Sequence, residues 1–414
     1  MKVKREIKEA GSVLGIEKLK NEQVKCIKRV LNRKDTMAIL PVGYGKSAIM
    51  QIPAIIGGNH PTIVFEPTIS LMSDQVRHLR DLGICAEYIS SRNRKAHKDI
   101  LNAYARGDVT ILYVAPERLD SEKFQRAVCQ NPPWLVVVDE AHCALEWGMT
   151  FRPDYLRIGA FIDSIRKRPT VLALTATAPK EYREELQDLL HMEDAEIVTT
   201  SLARKNLTFL CEHMQSAKYE KRFRRVATLI RKHGKGGGKI VVYCAVQNDA
   251  AKLYRCLEDE FPGEVAECFS FLDDDEREKH EEKFIQGKRR IMVATTAFGL
   301  GIDVPDIRLI IHMSMPISPI SFYQEAGRAG RDGNPSRCVL LYHPDDEKRF
   351  APILEAEERE DVRKQLKRGI KEMKEIAEGD KCIMQALLEH LDDTDPKPCG
   401  RCSVCQRKRG RTGK

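Results

Sequence analysis

Short, continuous apolar runs punctuate this chain a few tens of residues apart. Thr36-Met37-Ala38-Ile39-Leu40 and Leu135-Val136-Val137-Val138 are typical. Such runs do not alternate with polar residues, so they suit strands buried on both faces, as in a parallel sheet covered by helices. They predict strands near 36–40, 62–65, 111–114, 135–139 and 171–175, and a second set near 239–243, 265–269, 291–294, 309–312 and 339–342. The segments between them have helical length and charge. The expected fold is therefore α/β, with two tandem doubly wound parallel-sheet lobes.

Residues 1–208 are assigned to the first lobe and 209–345 to the second, with 201–207 as the link and 234–238 as a surface turn. Beyond residue 345 the pattern turns helical and charged, and Val362, Leu366, Ile370 and Met373 form one apolar stripe. Residues 346–406 are read as a small helical subdomain and 407–414 as a basic tail. The two lobes repeat an architecture without a short-period sequence repeat.

Composition narrows the classes. With 42% hydrophobic residues the chain can bury two cores, and no apolar run approaches the roughly 18 residues of a membrane span, so a soluble protein without a membrane partner is expected. The net charge of +8 arises from 69 basic against 61 acidic residues and is a modest pointer to a polyanion. Phosphate contacts then fall to local patches such as Arg92-Asn93-Arg94-Lys95 and the tail from Arg407, both equally compatible with solvated surface.

Three constellations carry chemistry. The first strand runs into Pro41-Val42-Gly43-Tyr44-Gly45-Lys46-Ser47, which reads as a P-loop: backbone N–H groups around Gly43 and Gly45 wrap phosphates, Lys46 reaches the β/γ-phosphates of ATP, and Ser47 ligates Mg²⁺. Leu40 stands where the strict pattern has its first glycine, and alone this segment is equally compatible with an ordinary glycine turn. Asp139-Glu140 at the end of an apolar strand favours the P-loop, with Asp139 for Mg²⁺ and Glu140 for the attacking water. Gln324-Glu325-Ala326-Gly327-Arg328-Ala329-Gly330-Arg331, about 180 residues later, supplies two arginines for transition-state charge. The competing reading is a flexible basic loop on nucleic-acid phosphates. Such spacing implies two lobes serving one ATP.

Cys382, Cys399, Cys402 and Cys405 are spaced for a tetrahedral Zn²⁺ site with no open position, hence a structural one. Disulfides compete, but thirteen cysteines beside a nucleotide site, without a signal peptide, favour a reduced intracellular chain. Cys26, Cys85, Cys211 and Cys256 show no ligand spacing.

From about residue 12 to 405 the chain resembles superfamily 2 helicases, and among them the RecQ family, whose lobes are RecA-like. The resemblance rests on Gln23, on Pro67 to Val76 (motif Ia), Tyr113 to Leu119 (motif Ib), Asp139-Glu140-Ala141-His142, and Leu174-Thr175-Ala176-Thr177-Ala178 (motif III). Most diagnostic is Ala141 to Tyr155, similar to the family's aromatic-rich loop. The resemblance implies that Gln23 reads adenine with Lys20 beside it, that Asp303 in the Phe298 to Asp303 segment serves the nucleotide, that His142 couples the ATP site to the other lobe, and that Gln324 belongs to the catalytic set. It further implies that Trp147, Phe151, Arg152 and Ser70 contact DNA. An exposed Trp147 and Phe151 next to Arg152 also offer π-faces and a cation to unpaired bases, whereas a core role for Trp147 is the plain alternative.

The implied activity is an ATP-dependent helicase moving 3′ to 5′ on single-stranded DNA and unwinding partly duplex DNA, in repair or recombination. A monomer is expected, in the cytoplasm at the nucleoid of a bacterium or in a eukaryotic nucleus, with unidentified repair or replication proteins as partners. Departures from the family pattern temper this: Ile16 and Lys20 replace an aromatic and an arginine, Val42 a threonine, Tyr44 a small residue, Glu146 a glutamine, and Cys268 to Leu272 a Tyr-His-Ala-Gly-like turn. They predict slower turnover or weaker ATP affinity. Nine residues follow Cys405, so the winged-helix and helical C-terminal modules that many of the family carry are expected to be absent. The alternatives are a DNA-binding or strand-annealing protein with weak ATPase activity, and an RNA-remodelling ATPase.

Overall fold

Every apolar run named above forms a strand. The structure, a computed structural model, describes residues 2–58, 60–145, 153–233, 237–269, 274–296, 298 and 304–412. The chain divides into two compact units, residues 1–202 and 203–414.

In the first unit β1 (Thr36–Ile39), β2 (Thr62–Phe65), β3 (Ala86–Ile89), β4 (Ile111–Val114), β5 (Leu135–Val138), β6 (Thr170–Thr175) and β7 (Glu196–Thr199) form a sheet ordered β3-β4-β2-β5-β6-β1-β7. All its pairings are parallel. The loop after β1 and the turn after β5 both leave the C-terminal edge of this sheet, where ligands bind in open α/β sheets. Met72, Val76, Val64, Tyr113, Val137 and Leu172 belong to the apolar layer between this sheet and its helices.

In the second unit β8 (Leu207–His213), β9 (Lys239–Tyr243), β10 (Val265–Cys268), β11 (Ile291–Ala294), β12 (Ile307–His312) and β13 (Ser336–Tyr342) run in the order β10-β11-β9-β12-β13-β8, again all parallel. Its core includes Val226, Ile230, Val242, Leu253, Val293 and Ile311.

Strands β3, β7 and β8 are additions to the expected set, and all three are sheet edges. Their mixed burial explains why no apolar run announces them: Glu87, Tyr88, Glu196 and Ile197 are only half-buried. The division of the chain also differs from the expected one at residue 208. The second unit begins at Ala203, because β8 pairs with β13 from Leu207 to His213 and the residues just before it bond into the same unit.

Helices Glu360–Glu378, Ile383–His390 and Ser403–Thr412 belong to this second unit. The stripe expected on the first of them is present, with Val362, Ile370 and Met373 buried and Leu366 half-buried. The junction is tied by a fully buried ion pair, Arg222 Nη2 to Asp346 Oδ1 at 2.5 Å. Arg222 also donates to the Leu341 carbonyl at 2.9 Å, and Asp346 accepts the Met315 N–H at 3.0 Å. Among the described residues, no helix is long and apolar enough to cross a membrane.

Candidate nucleotide and metal sites

The loop after β1 is shaped by two glycines with left-handed backbone, Gly43 (φ 77°) and Gly45 (φ 84°), conformations that side chains resist. It delivers Lys46 and Ser47 to the first turn of helix Lys46–Gly57, which no side chain caps. The unfilled N–H groups of that turn, with the helix dipole behind them, fit a polyphosphate.

Beside this loop, β5 ends at Val138 and presents Asp139, whose N–H is held by the Phe65 carbonyl at 3.0 Å. Glu140 takes a left-handed backbone (φ 45°), unusual for a residue with a side chain. That turn aims its carboxylate at two partners: Lys46 Nζ at 3.6 Å and His142 Nδ1 at 3.5 Å. His142, buried, also meets Thr175 Oγ1 at 3.1 Å, and Thr175 donates to the Thr177 carbonyl at 2.8 Å. The acidic box and motif III are thus one hydrogen-bonded unit, reinforced by the Ala141 N–H on the Leu174 carbonyl at 2.8 Å.

Burial, then the neighbouring Glu140, push the Asp139 carboxyl up to about 6, with Lys46 opposing. A cation fits here, since Lys46 offsets only part of what burial and Glu140 do to the Asp139 carboxyl. Asp139 and Ser47 are the residues that would hold Mg²⁺. Sequence reasoning missed Glu66, which directly follows β2. It is fully buried, its Oε1 accepts from Thr68, and its Oε2 finds no partner among the described residues. Burial and the charges of Asp139 and Glu140 raise it well above the usual carboxylate range. The available signal was an acid ending an apolar run, the same one that exposes Asp139.

Gln23 and Lys20 both bond to the loop. Gln23 Nε2 donates to the carbonyls of Tyr44 (3.1 Å) and Gly45 (2.9 Å), while its Oε1 accepts the Lys20 N–H at 2.8 Å. Ser70 lies in the first turn of helix Ile69–Asp81, half-buried. Trp147, Phe151, Arg152 and Asp303 lie outside the described residues.

In the second unit, helix Pro319–Ala326 carries Gln324 and runs into the loop bearing Arg328 and Arg331, all three half-buried. The helix is anchored from its buried side by Glu325 Oε2 on His312 Nε2 at 2.8 Å. The arginine loop is held by a residue without any motif signal: Arg204 donates to the carbonyls of Gly327 (3.1 Å), Ala329 (2.9 Å) and Gly330 (2.8 Å). Asn206 adds a bond to Gly330 at 2.8 Å.

Cys382, Cys399, Cys402 and Cys405 converge, with all four Sγ atoms within 4.8 Å of one another. The Cys382–Cys399 and Cys382–Cys402 separations of 3.5 and 3.8 Å are far beyond a disulfide and close to the roughly 3.8 Å edge of a tetrahedral zinc–thiolate site. Backbone N–H groups of Cys399, Cys402 and Cys405 point at neighbouring sulfurs at 3.2 to 3.5 Å, as thiolates require. The donor set fits Zn²⁺.

Comparison with known proteins agrees with this layout. Residues 20–185 match the DEAD/DEAH box helicase family, 221–333 the helicase conserved C-terminal domain, and 344–406 the RecQ zinc-binding family. The chain is 36% identical to the ATP-dependent DNA helicase RecQ of Bacillus subtilis over 94% of its own length and 65% of that protein's. It is 31% identical to the protein of the same name in Haemophilus influenzae, over 95% and 62%. It therefore spans less than two thirds of these relatives. Among solved structures, the MrfA helicase bound to DNA shares the fold with a TM-score of 0.68 at 18% identity, over 82% of this chain and 51% of that one. Two helicase-core families in order, a RecQ zinc-binding family behind them, and RecQ relatives along nearly the whole chain place it in the RecQ family of superfamily 2 helicases.

Proposed function

We propose that this chain is an ATP-dependent DNA helicase that translocates 3′ to 5′ on single-stranded DNA and unwinds duplex DNA. The observation that carries the reading is Glu140 held between Lys46 and His142, with Asp139 beside it at the end of β5. The loop N–H groups and Lys46 bind the triphosphate. Glu140 orients the attacking water and takes its proton, and Arg331 with Arg328 offsets charge developing on the transferred phosphoryl group. Mg²⁺, held by Ser47 and Asp139, supplies neutralisation of phosphate charge when bound. His142 passes the state of Glu140 to Thr175 of motif III, and Zn²⁺ folds the segment around Cys382 to Cys405.

RecQ relationship supports DNA as the polymer, contacted through Trp147, Phe151, Arg152 and Ser70, with repair or recombination at the nucleoid or in the nucleus as the setting. The test is unwinding of duplexes with a 3′ or a 5′ single-stranded tail, alongside ATPase stimulation by DNA and by RNA. Unwinding of the 3′-tailed duplex and stimulation by DNA are expected. Preferential stimulation by RNA, or annealing of complementary strands that survives Lys46→Ala with no unwinding, contradicts the reading.

A further inference from the structure

Residues 204–207, which lead into β8, form a turn closed by the Leu207 N–H on the Arg204 carbonyl at 3.1 Å. Two side chains leave this turn for the arginine loop. Arg204 spreads its guanidinium over the carbonyls of Gly327, Ala329 and Gly330, and Asn206 Nδ2 donates to those of Gly330 at 2.8 Å and Asn334 at 3.0 Å. The packing is tight at the residue just before Arg331: Gly330 has a left-handed backbone (φ 56°), and a Cβ on it would come within 2.5 Å of Asn206 Nδ2.

The turn is itself gripped from the C-terminal part of the same unit. Arg401 Nη2 donates to the Arg204 carbonyl and Arg401 Nε to the Leu207 carbonyl, both at 3.1 Å, so one guanidinium spans the first and last residues of the turn. A planar fork sets the relative position of two acceptors, which a point charge on a flexible stem does not. The backbone around Arg401 is fixed in turn. Gly400 is left-handed (φ 70°), the Cys402 N–H lies on the Cys399 sulfur at 3.3 Å, and the Arg401 carbonyl accepts from Gln406 Nε2 at 2.9 Å. Ser403 docks the same cysteine knuckle by a separate route, its hydroxyl accepting the Cys211 N–H of β8 at 3.0 Å.

We propose that Arg401 is a positioning residue for ATP hydrolysis: it sets the 204–207 turn, and through Arg204 and Asn206 the carbonyls that place Arg328 and Arg331. The inference rests on the reading of those two arginines as the groups that offset transition-state charge. Charge stabilisation of that kind depends on placement to within about an ångström, so a shift of the turn reaches the reaction rate although Arg401 touches no substrate.

The test is steady-state ATP hydrolysis in the presence of single-stranded DNA by the full zinc-loaded chain, as wild type, Arg401→Ala, Arg401→Lys and Ser403→Ala, with zinc content and affinity for a non-hydrolysable ATP analogue measured on each. Arg401→Ala is expected to lower kcat about tenfold while KM and analogue affinity hold. Arg401→Lys should recover part of the rate, and Ser403→Ala, which loosens the knuckle without removing a bond to the turn, should keep it. In an Arg204→Ala background the loss from Arg401→Ala should be smaller than in the wild type, because the two residues act in series. An unchanged kcat in Arg401→Ala, an equal loss in Ser403→Ala, or full additivity with Arg204→Ala overturns the proposal. If Arg401→Ala sheds its zinc, the kcat of zinc-retaining Arg401→Lys decides in its place, and a wild-type value there overturns the proposal. A wild-type chain that hydrolyses no ATP removes the reading of the arginines and this inference together, whereas an active wild type with an equally active Arg401→Ala removes this inference alone.

Discussion

Arg401 Nη2 donates to the main-chain carbonyl of Arg204 at 3.1 Å. Arg401 sits between two of the converging cysteines, Cys399 and Cys402, and Arg204 in turn grips three carbonyls of the loop that carries Arg328 and Arg331. A second bond, Arg401 Nε to the Leu207 carbonyl at 3.1 Å, fixes the same junction from the start of β8. The cysteine knuckle and the arginine loop are therefore linked through two side chains.

Replacing Arg204 by alanine removes its bonds to the Gly327 and Ala329 carbonyls and leaves the Gly330 carbonyl with Asn206 alone. We expect kcat for ATP to fall about ten- to a hundredfold, the cost of misplacing catalytic groups by about an ångström, with KM little changed. Arg204→Lys should recover only part, since a point charge cannot reproduce a forked donor. Steady-state kinetics decide; a proportional rise in KM with kcat intact would show that the loop is not positioned this way.

Zinc removal should act on the fold before it acts on chemistry. Elemental analysis is expected to give one zinc per chain, and Cys402→Ser or chelation should expose the region between Cys382 and Cys405 to protease, because structural zinc contributes folding free energy outright. Unchanged protease protection in zinc-free protein would contradict the assignment.

Asp139→Asn should trade activity for stability. The carboxyl is raised from 3.8 to about 6, so the folded state binds its proton more tightly than the unfolded chain does. The cost of ionising it in place is full above pH 6, shrinks as pH falls, and is gone below 3.8. Without metal, the variant is expected to be more stable at pH 8 by up to about 3 kcal/mol, with the gain vanishing near pH 4, and to hydrolyse no ATP. Chemical denaturation at the two pH values measures this; a variant less stable at pH 8 would show that Asp139 has an ion partner in the fold.

The Arg222–Asp346 pair has no exposure to water. Asp346→Ala leaves a buried guanidinium uncompensated and should destabilise the second unit by about 3 to 5 kcal/mol, while Arg222→Met combined with Asp346→Leu should recover much of that loss. Unfolding midpoints of the single and double variants provide the check.

The chain announces its sheet centres and conceals its edges. Leu135 to Val138 is legible because a strand buried on both faces has no polar residue. Glu196-Ile197-Val198-Thr199 is not, because β7 borders only β1 and leaves Glu196 free to pair with Lys25 and Arg29. The site divides in the same way. Lys46, Asp139 and Glu140 carry local patterns dictated by phosphate and metal chemistry, and the structure gathers them. Arg204 acts through backbone carbonyls more than a hundred residues away, and no local pattern marks such a role. Gln23 was marked by the resemblance alone, and its bonds to Tyr44 and Gly45 depend on loop geometry that residue order does not encode.

The most direct test of the account is steady-state ATP hydrolysis by the zinc-loaded chain with and without single-stranded DNA, using Lys46→Ala as the control for contaminating activity. The account predicts hydrolysis strongly stimulated by DNA and abolished in Lys46→Ala. A rate indifferent to DNA, or one that survives Lys46→Ala, would contradict it.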